Sequence, residues 1–211
     1  MDCADLNNYF EFDIHPFTTE VTFESGSHIL HEGSTPEFLY YLVEGRAKLF
    51  MTHENGRVSL ISFLDAPCFI GEIELLGAQA ATRGVMALTH CKCYAIHIEK
   101  CKDLLLKDTT FLRNLCLFLS RKAVDNTSNF SMNLCYSLET RLANFILTTA
   151  HKGIYREKHT EVAEYLGVTY RHLLYVIARF VKQGILEKSK QGYTIKNESA
   201  LRKIATIDKD N

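Results

Sequence analysis

The sequence predicts an α+β chain in two parts, an antiparallel β-sandwich or roll followed by a long helix and a small helical domain. Three observations carry that prediction. From Val21 to Ile98, short apolar or alternating runs are broken by Gly, Pro, Asn and Asp; from Cys101 onward, apolar residues return every three or four positions; and the charge changes sign along the chain. Residues 1–108 hold 16 Asp/Glu against 8 Lys/Arg, a balance of −8, while residues 138–196 hold 5 against 10, a balance of +5. A basic segment on an acidic chain points to a polyanionic partner for one half only. With 211 residues there is room for two modest cores.

The runs VTFES, HILHEG, FLYYLVEGRAKLFMTHENGRVSLISFL, CFIGEIELLG and RGVMALTHCKCYAIHI have the short spacing and turn signals of antiparallel strands. Asn55-Gly56, between KLFMT and VSLISFL, predicts a two-residue hairpin turn whose positions both need positive φ. Beyond Lys100 the spacing predicts a short helix, and Asp108-Thr109-Thr110 caps a long one over 110–133. Its apolar seam, with Leu112, Leu115, Leu119, Ala123 and Phe130, predicts a homodimer built on this helix, the alternative being packing along its own domain only. The division is then 1–108 for the roll, 109–135 for the dimerisation helix and 136–211 for the second domain. Helices are expected over 138–149, 160–166 and 170–183, KSKQGYTIKN folds into two strands divided at Gln191-Gly192, and the terminal IDKDN is frayed.

No window approaches the eighteen or so apolar residues of a membrane span, and MDCADLNNYFEFDIHPF lacks the basic start and apolar run of a secretory signal. A soluble cytoplasmic protein without membrane contact is the expectation. Its seven cysteines, an odd number in an ordinary globular composition, favour reduced thiols over a disulfide framework.

The stretch TEVAEYLGVTYRHLLYVIARF, residues 160–180, carries the most specific signal. Thr160 caps one helix, with Glu161, Glu164 and Tyr165 on its polar face and Val162, Ala163 and Leu166 on its apolar one. Gly167 supplies the left-handed turn, Val168 fills the corner and Thr169 caps a second helix. Two helices crossing this closely need a small residue at the contact, here Ala163, and Leu173 and Val176 returning against it, which is the helix-turn-helix constellation. An inner face of Leu173, Val176, Ile177 and Phe180 leaves Tyr170, Arg171, His172, Leu174 and Tyr175 outward, where the motif enters the major groove of double-stranded DNA. Arg171 can donate two bonds to guanine. Thr169, Lys188 and Lys190 complete the expected DNA-binding set, with Lys182 and Arg179 facing phosphates or solvent.

With these parts in place, residues 20–196 resemble the Crp/Fnr family of bacterial transcription regulators. The resemblance rests on Pro36 to Phe50, on GRVSLISFLDAPCFIGEIELL with Phe69-Ile70-Gly71-Glu72, on ETRLANFIL and on the helix-turn-helix followed by QGILEKSKQGYTIKN. Within the family, CFIGEIEL and AEYLGVTYRHLLYV are most similar to the YeiL-type regulators. The resemblance implies a cyclic-nucleotide-binding-type β-roll, dimerisation through the long helix, a winged helix-turn-helix and contact with RNA polymerase, in a transcription activator. It also implies an effector site at Gly71, Glu72, Thr82 and Arg83.

Several positions depart from the family's patterns. Cyclic-AMP-binding members place an arginine for the phosphate four residues before a Val-x-Ala; here Val85-Met86-Ala87 is preceded at that spacing by Ala81, and Arg83 lies two residues, about 6.6 Å of strand, further on, too far for the same contact unless a loop deletion realigns it. That counts against a cyclic nucleotide and leaves Gly71-Glu72 a structural reading, a turn glycine and a carboxylate bonded to backbone. The N-terminal cysteine cluster of the iron-sulfur members is reduced to Cys3, so an iron-sulfur cluster is not favoured; Cys91, Cys93 and Cys116 stay as metal candidates beside the reading of small buried hydrophobes. The cofactor and any small-molecule effector remain open. Enzyme chemistry is not expected: His159-Thr160-Glu161 matches half a zinc-deaminase signature, without the P-C-x-x-C that completes it. An adaptor that has lost DNA contact is the remaining alternative.

Overall fold

A computed structural model describes residues 6–206 except 55, 57, 80, 151, 152 and 191, and the side chains in that range except those of Asn129 and Asn133. Eight strands, β1 (Thr18–Phe23), β2 (His28–Leu30), β3 (Phe38–Glu44), β4 (Arg46–Thr52), β5 (Val58–Asp65), β6 (Cys68–Ile70), β7 (Gly84–Ala87) and β8 (Cys91–His97), make two antiparallel sheets. Their orders are β1-β8-β3-β6 and β2-β7-β4-β5. The sandwich core between them contains Leu42, Cys68, Ile70, Cys91 and Cys93 from the first sheet and Leu30, Ala47, Leu64, Val85 and Ala87 from the second.

The first sheet is covered on its other face too. Leu39, Tyr41, Phe69, Tyr94 and Ile96 point there and meet Leu6, Phe10 and Ile14 from the N-terminal segment. They also meet α2 (Ile98–Lys107) and the beginning of α3 (Thr109–Cys135), through Leu105, Phe111 and Leu115. Because successive strand residues alternate between faces, β3 must be apolar at nearly every position to satisfy both covers, which explains the unbroken FLYYLV.

Two expectations in this half need correcting. In CFIGEIELLG only Cys68–Ile70 is strand, and Glu72–Leu75 is a short helix, α1. The β4–β5 hairpin forms, but its last pair is Thr52 with Val58 and Gly56 N–H closes a turn on the His53 carbonyl at 2.8 Å, so the connection is longer than two residues. Gly56 has φ +75, while Asn55 lies outside the described residues.

Asp108 caps α3 as expected, its Oδ1 accepting from Phe111 N–H at 2.8 Å. The N-terminal segment adds a second acceptor. Glu11 Oε1 takes Thr110 N–H at 3.1 Å and both threonine hydroxyls, and Glu11 N–H donates in return to Asp108 Oδ2 at 2.7 Å. Free N–H groups at a helix start need such acceptors.

The predicted dimer seam splits into two stripes. Phe111, Leu115, Phe118 and Lys122, at helical spacing, turn onto the roll. Leu115, 1% exposed, is consumed by its own core and leaves the seam; Leu112 and Leu119 are only partly covered, while Ala123 and Phe130 are exposed. The chain divides into two compact units after Ala123, within α3 rather than at either of its ends.

In the second unit, α4 (Leu138–Thr149), β9 (Ile154–Tyr155), α5 (His159–Tyr165), α6 (Tyr170–Lys182), β10 (Leu186–Ser189), β11 (Gly192–Ile195) and α7 (Glu198–Thr206) form a helical domain with a β10-β11-β9 sheet. Both β9 and α7 escaped the sequence reading. A two-residue strand has no period to detect, and α7 is held by tertiary bonds, Thr140 Oγ1 to the Ile204 carbonyl and Asn144 Nδ2 to that of Ala205. Gly192 already pairs with Ser189 and so belongs to β11 rather than to the divide between the strands; Gln191 and IDKDN lie outside the described residues. At Gly192 a Cβ would lie 2.2 Å from the Tyr155 carbonyl oxygen, so only glycine lets β11 approach β9. No helix among the described residues is long and apolar enough to cross a membrane.

Hydrogen bonds from Thr109 and Thr110 hold the Glu11 carboxyl below its ordinary value. The depressed group contributes stability above its unfolded pKa and loses it as the pH falls through the folded one. Glu11→Gln is therefore expected to melt lower than the parent at neutral pH, with the difference closing below about pH 4; thermal melts across pH 3 to 7 measure it.

Candidate nucleic-acid interface

The turn between α5 and α6 is built as the sequence requires. Gly167 takes φ +64; its N–H donates to the Glu164 carbonyl at 3.2 Å and Val168 N–H to that of Ala163 at 2.9 Å, the paired bonds of a left-handed helix end. Ala163 is buried at the crossing, against a helix whose Leu173, Val176, Ile177 and Phe180 are all buried. Arg141 from α4 reinforces the end of α5, its Nη1 donating to the Leu166 carbonyl at 2.6 Å. Thr169 caps α6 by accepting His172 N–H at 3.2 Å.

Other details of α5 differ from expectation. The helix starts at His159 with Lys158 at the cap position, so Thr160 does not cap it. Glu161 is buried rather than on a polar face, and Val168 is half-buried.

Opposite the buried stripe of α6, Tyr170 is 49% and Tyr175 65% exposed, with Arg171 and His172 also exposed. Lys188 on β10 and Lys190 in the turn are exposed as well. Arg179 instead pairs with Glu139 at 2.8 Å. The structure thus places Thr169, Tyr170, Arg171, His172 and Tyr175 together on the first two turns of α6, and the two lysines on the hairpin.

One feature of this surface had no sequence signal. A cleft of about 280 Å³ opens between β9, β11 and the start of α6, lined by Tyr155, His159, Tyr170 and Tyr193. The His159 and Tyr193 rings are 5.5 Å apart, and burial lowers the His159 pKa, so its ring is neutral near pH 7. Arg156 and Lys158 line it as well. Residues so far apart in sequence meet only because β9 and β11 pair.

The proposed effector residues of the roll lie around a different feature. Gly71 is a turn glycine, with φ +93, at the start of α1. Glu72, 2% exposed, does not bond backbone as the structural reading expected: Lys122 Nζ of α3 donates to its Oε1 at 2.7 Å. Thr82 is buried with its hydroxyl on the His31 carbonyl, and Arg83 is exposed; hydrogen bonds from Thr52 hold the Glu32 carboxyl below its ordinary value, with the Arg83 charge a smaller contribution.

The metal candidates are not brought together. Cys91 and Cys93 are buried in β8, Cys116 is exposed on α3, and among the described residues no group of three or more His, Cys, Asp or Glu is placed to hold a metal ion; Cys3 lies outside them. Burial pushes the Cys93 thiol up to about 12 and Cys101 to about 11; Cys68 reaches about 12 through burial and the neighbouring Glu72 charge. Cys91 is raised by burial too. Thiols held in this state are poor nucleophiles and poor ligands.

A capped recognition helix, a three-stranded wing behind it and a β-roll on the same chain define a DNA-binding regulator of transcription. Residues 20–108 match the family described as cyclic nucleotide-binding domain, and residues 140–204 the Crp-like helix-turn-helix domain. Over 203 residues, 96% of this chain and 93% of the relative, the sequence is 47% identical to Regulatory protein YeiL of Escherichia coli O157:H7. It is 29% identical over 130 residues, 61% of each chain, to the cAMP-activated global transcriptional regulator CRP of the same organism. A Crp/Fnr-family regulator from Thermus thermophilus has the same fold, with a TM-score of 0.76 at 20% identity over 89% of this chain and 98% of that one. The chain belongs to the Crp/Fnr family of transcription regulators.

The domain family implies a cyclic nucleotide, and the residues present do not fit one. Its phosphate is an anion, yet Ala81 is exposed and uncharged, Arg83 points to solvent, and Lys122 is already neutralised by Glu72. Burying an anion without a cation costs several kcal/mol.

Removing one partner of the Glu72–Lys122 pair strands a buried charge. Lys122→Met is expected to destabilise the protein by roughly 3 kcal/mol, and Glu72→Gln added to it to recover most of the loss; urea denaturation of the three proteins measures both. Of the described cysteines, Cys135 is expected to react with a thiol reagent at pH 8 in the native protein, and Cys68, Cys91, Cys93 and Cys101 only after unfolding. Mass spectrometry of the labelled peptides separates the two groups.

Proposed function

We propose that the protein works in the cytoplasm as a homodimeric activator that sets two copies of α6 into successive major grooves of double-stranded DNA and contacts RNA polymerase. The observation that carries this reading is the exposed Tyr170, Arg171 and Tyr175 on a helix whose opposite face is wholly buried. Arg171 reads a base, Tyr170 and Tyr175 contact bases or backbone, His172 and the Thr169 turn lie against the groove edge, and Lys188 and Lys190 meet phosphates. The aromatic cleft continues that surface toward the hairpin. Names of the relatives, a regulatory protein and a cAMP-activated global transcriptional regulator, support a role in gene control.

Dimerisation uses the outward stripe of α3, Leu112, Leu119, Ala123 and Phe130. Phe130 is 66% exposed in the single chain, and Leu134 beyond it is exposed as well. Such a dimer places its half-sites one DNA turn apart, about 34 Å.

Selection from random duplexes is expected to return a two-fold symmetric site, and a failure to enrich any sequence at low salt would refute the reading. Arg171→Ala should weaken that site roughly ten- to a hundredfold and relax one position in each half. Lys188→Ala and Lys190→Ala should weaken all sequences alike, each reducing the salt slope by about 1. Binding measured across a salt series distinguishes these effects.

A further inference from the structure

The loop after β2 and the residues leading into β7 are closed on one another. Gly33 N–H donates to the Thr82 carbonyl at 2.9 Å, and Thr82 N–H to that of Ser34 at 2.9 Å. Ser34 N–H and Oγ both reach the His31 carbonyl, at 3.2 and 2.7 Å. The buried Thr82 hydroxyl donates to that carbonyl too and lies 3.3 Å from Ser34 Oγ. These amides and hydroxyls border Ala81, the position where the resemblance would put a phosphate-binding arginine, and each already has an acceptor within the chain. A phosphate arriving here would break those bonds and would meet alanine at the position where the resemblance puts an arginine. Both losses oppose binding, since a buried polar group left without its partner is costly.

The roll also grips the long helix by itself. Phe111 and Phe118 stand edge-on to Phe69 of β6, at ring distances of 5.8 and 6.2 Å, and one turn further Lys122 meets Glu72. This stripe fixes the start of α3 on the sheet through the chain's own side chains.

We infer that the roll takes no 3′,5′-cyclic mononucleotide and that the protein's affinity for DNA is independent of one. The closed turn and the alanine in place of the arginine exclude the ligand, and the aromatic and ionic stripe of α3 makes it unnecessary for holding the helix. The DNA half of the statement rests on the proposed nucleic-acid interface; the ligand half does not.

The test uses the full-length protein with cyclic AMP and cyclic GMP in turn. At about 100 times its Kd, a ligand of the folded state raises the melting temperature by several degrees. The expected result is no rise with either nucleotide at about 1 mM, together with gel-shift affinity for the selected duplex that changes less than about twofold on adding them. A rise of several degrees, or a tenfold gain in DNA affinity, overturns the inference. Protein that binds no duplex under any condition counts against the nucleic-acid interface instead, and the melting data still decide whether the roll takes the nucleotide.

Discussion

The β1-β8-β3-β6 sheet is covered by apolar groups on both faces, and the rest of the first half depends on that double cover. One face closes the sandwich. The other collects the N-terminal segment, α2 and the inward stripe of α3, so the sensor-type roll and the base of the long helix share a single hydrophobic surface. A sheet buried on two sides tolerates few polar residues, which is why β3, β6 and β8 carry aromatic, aliphatic and cysteine side chains almost without interruption. The Glu11–Asp108 exchange then completes the helix start at the edge of the same layer.

Polar chemistry inside the roll follows from that packing. Glu72 can be buried because Lys122 reaches it from α3, and the pair is neutral as a unit. The cysteines of β6 and β8 occupy sandwich positions where an ionised thiolate would be desolvated, so they act as small apolar side chains. A β-roll of cyclic-nucleotide-binding type thus retains the family's architecture while its interior is committed to holding itself together. Function lies in the site grafted on the fold.

In the second unit the same reasoning separates scaffold from surface. Ala163, Gly167 and the buried stripe of α6 fix the angle between two helices, and the angle decides which side chains are presented. Tyr170, Arg171 and Tyr175 are left outside by that geometry.

Much of this was legible in the sequence because it depends on neighbours along the chain. The strand texture, the Asp108 cap, the bounds of α4 and the helix-turn-helix are all set by local period and by residues with one conformational purpose, such as Gly167 and Thr169. Those signals determined the α+β class and the DNA-binding half. Tertiary structure decided the rest, because it depends on residues distant in sequence. Leu115 and Phe130 look alike in a helical pattern, yet one is spent on the roll and the other left bare. Glu72 finds Lys122 fifty positions away, and Tyr155, His159 and Tyr193 form a cleft only through strand pairing. Period tells which face of a helix or strand is apolar; only the packed chain determines what that face meets.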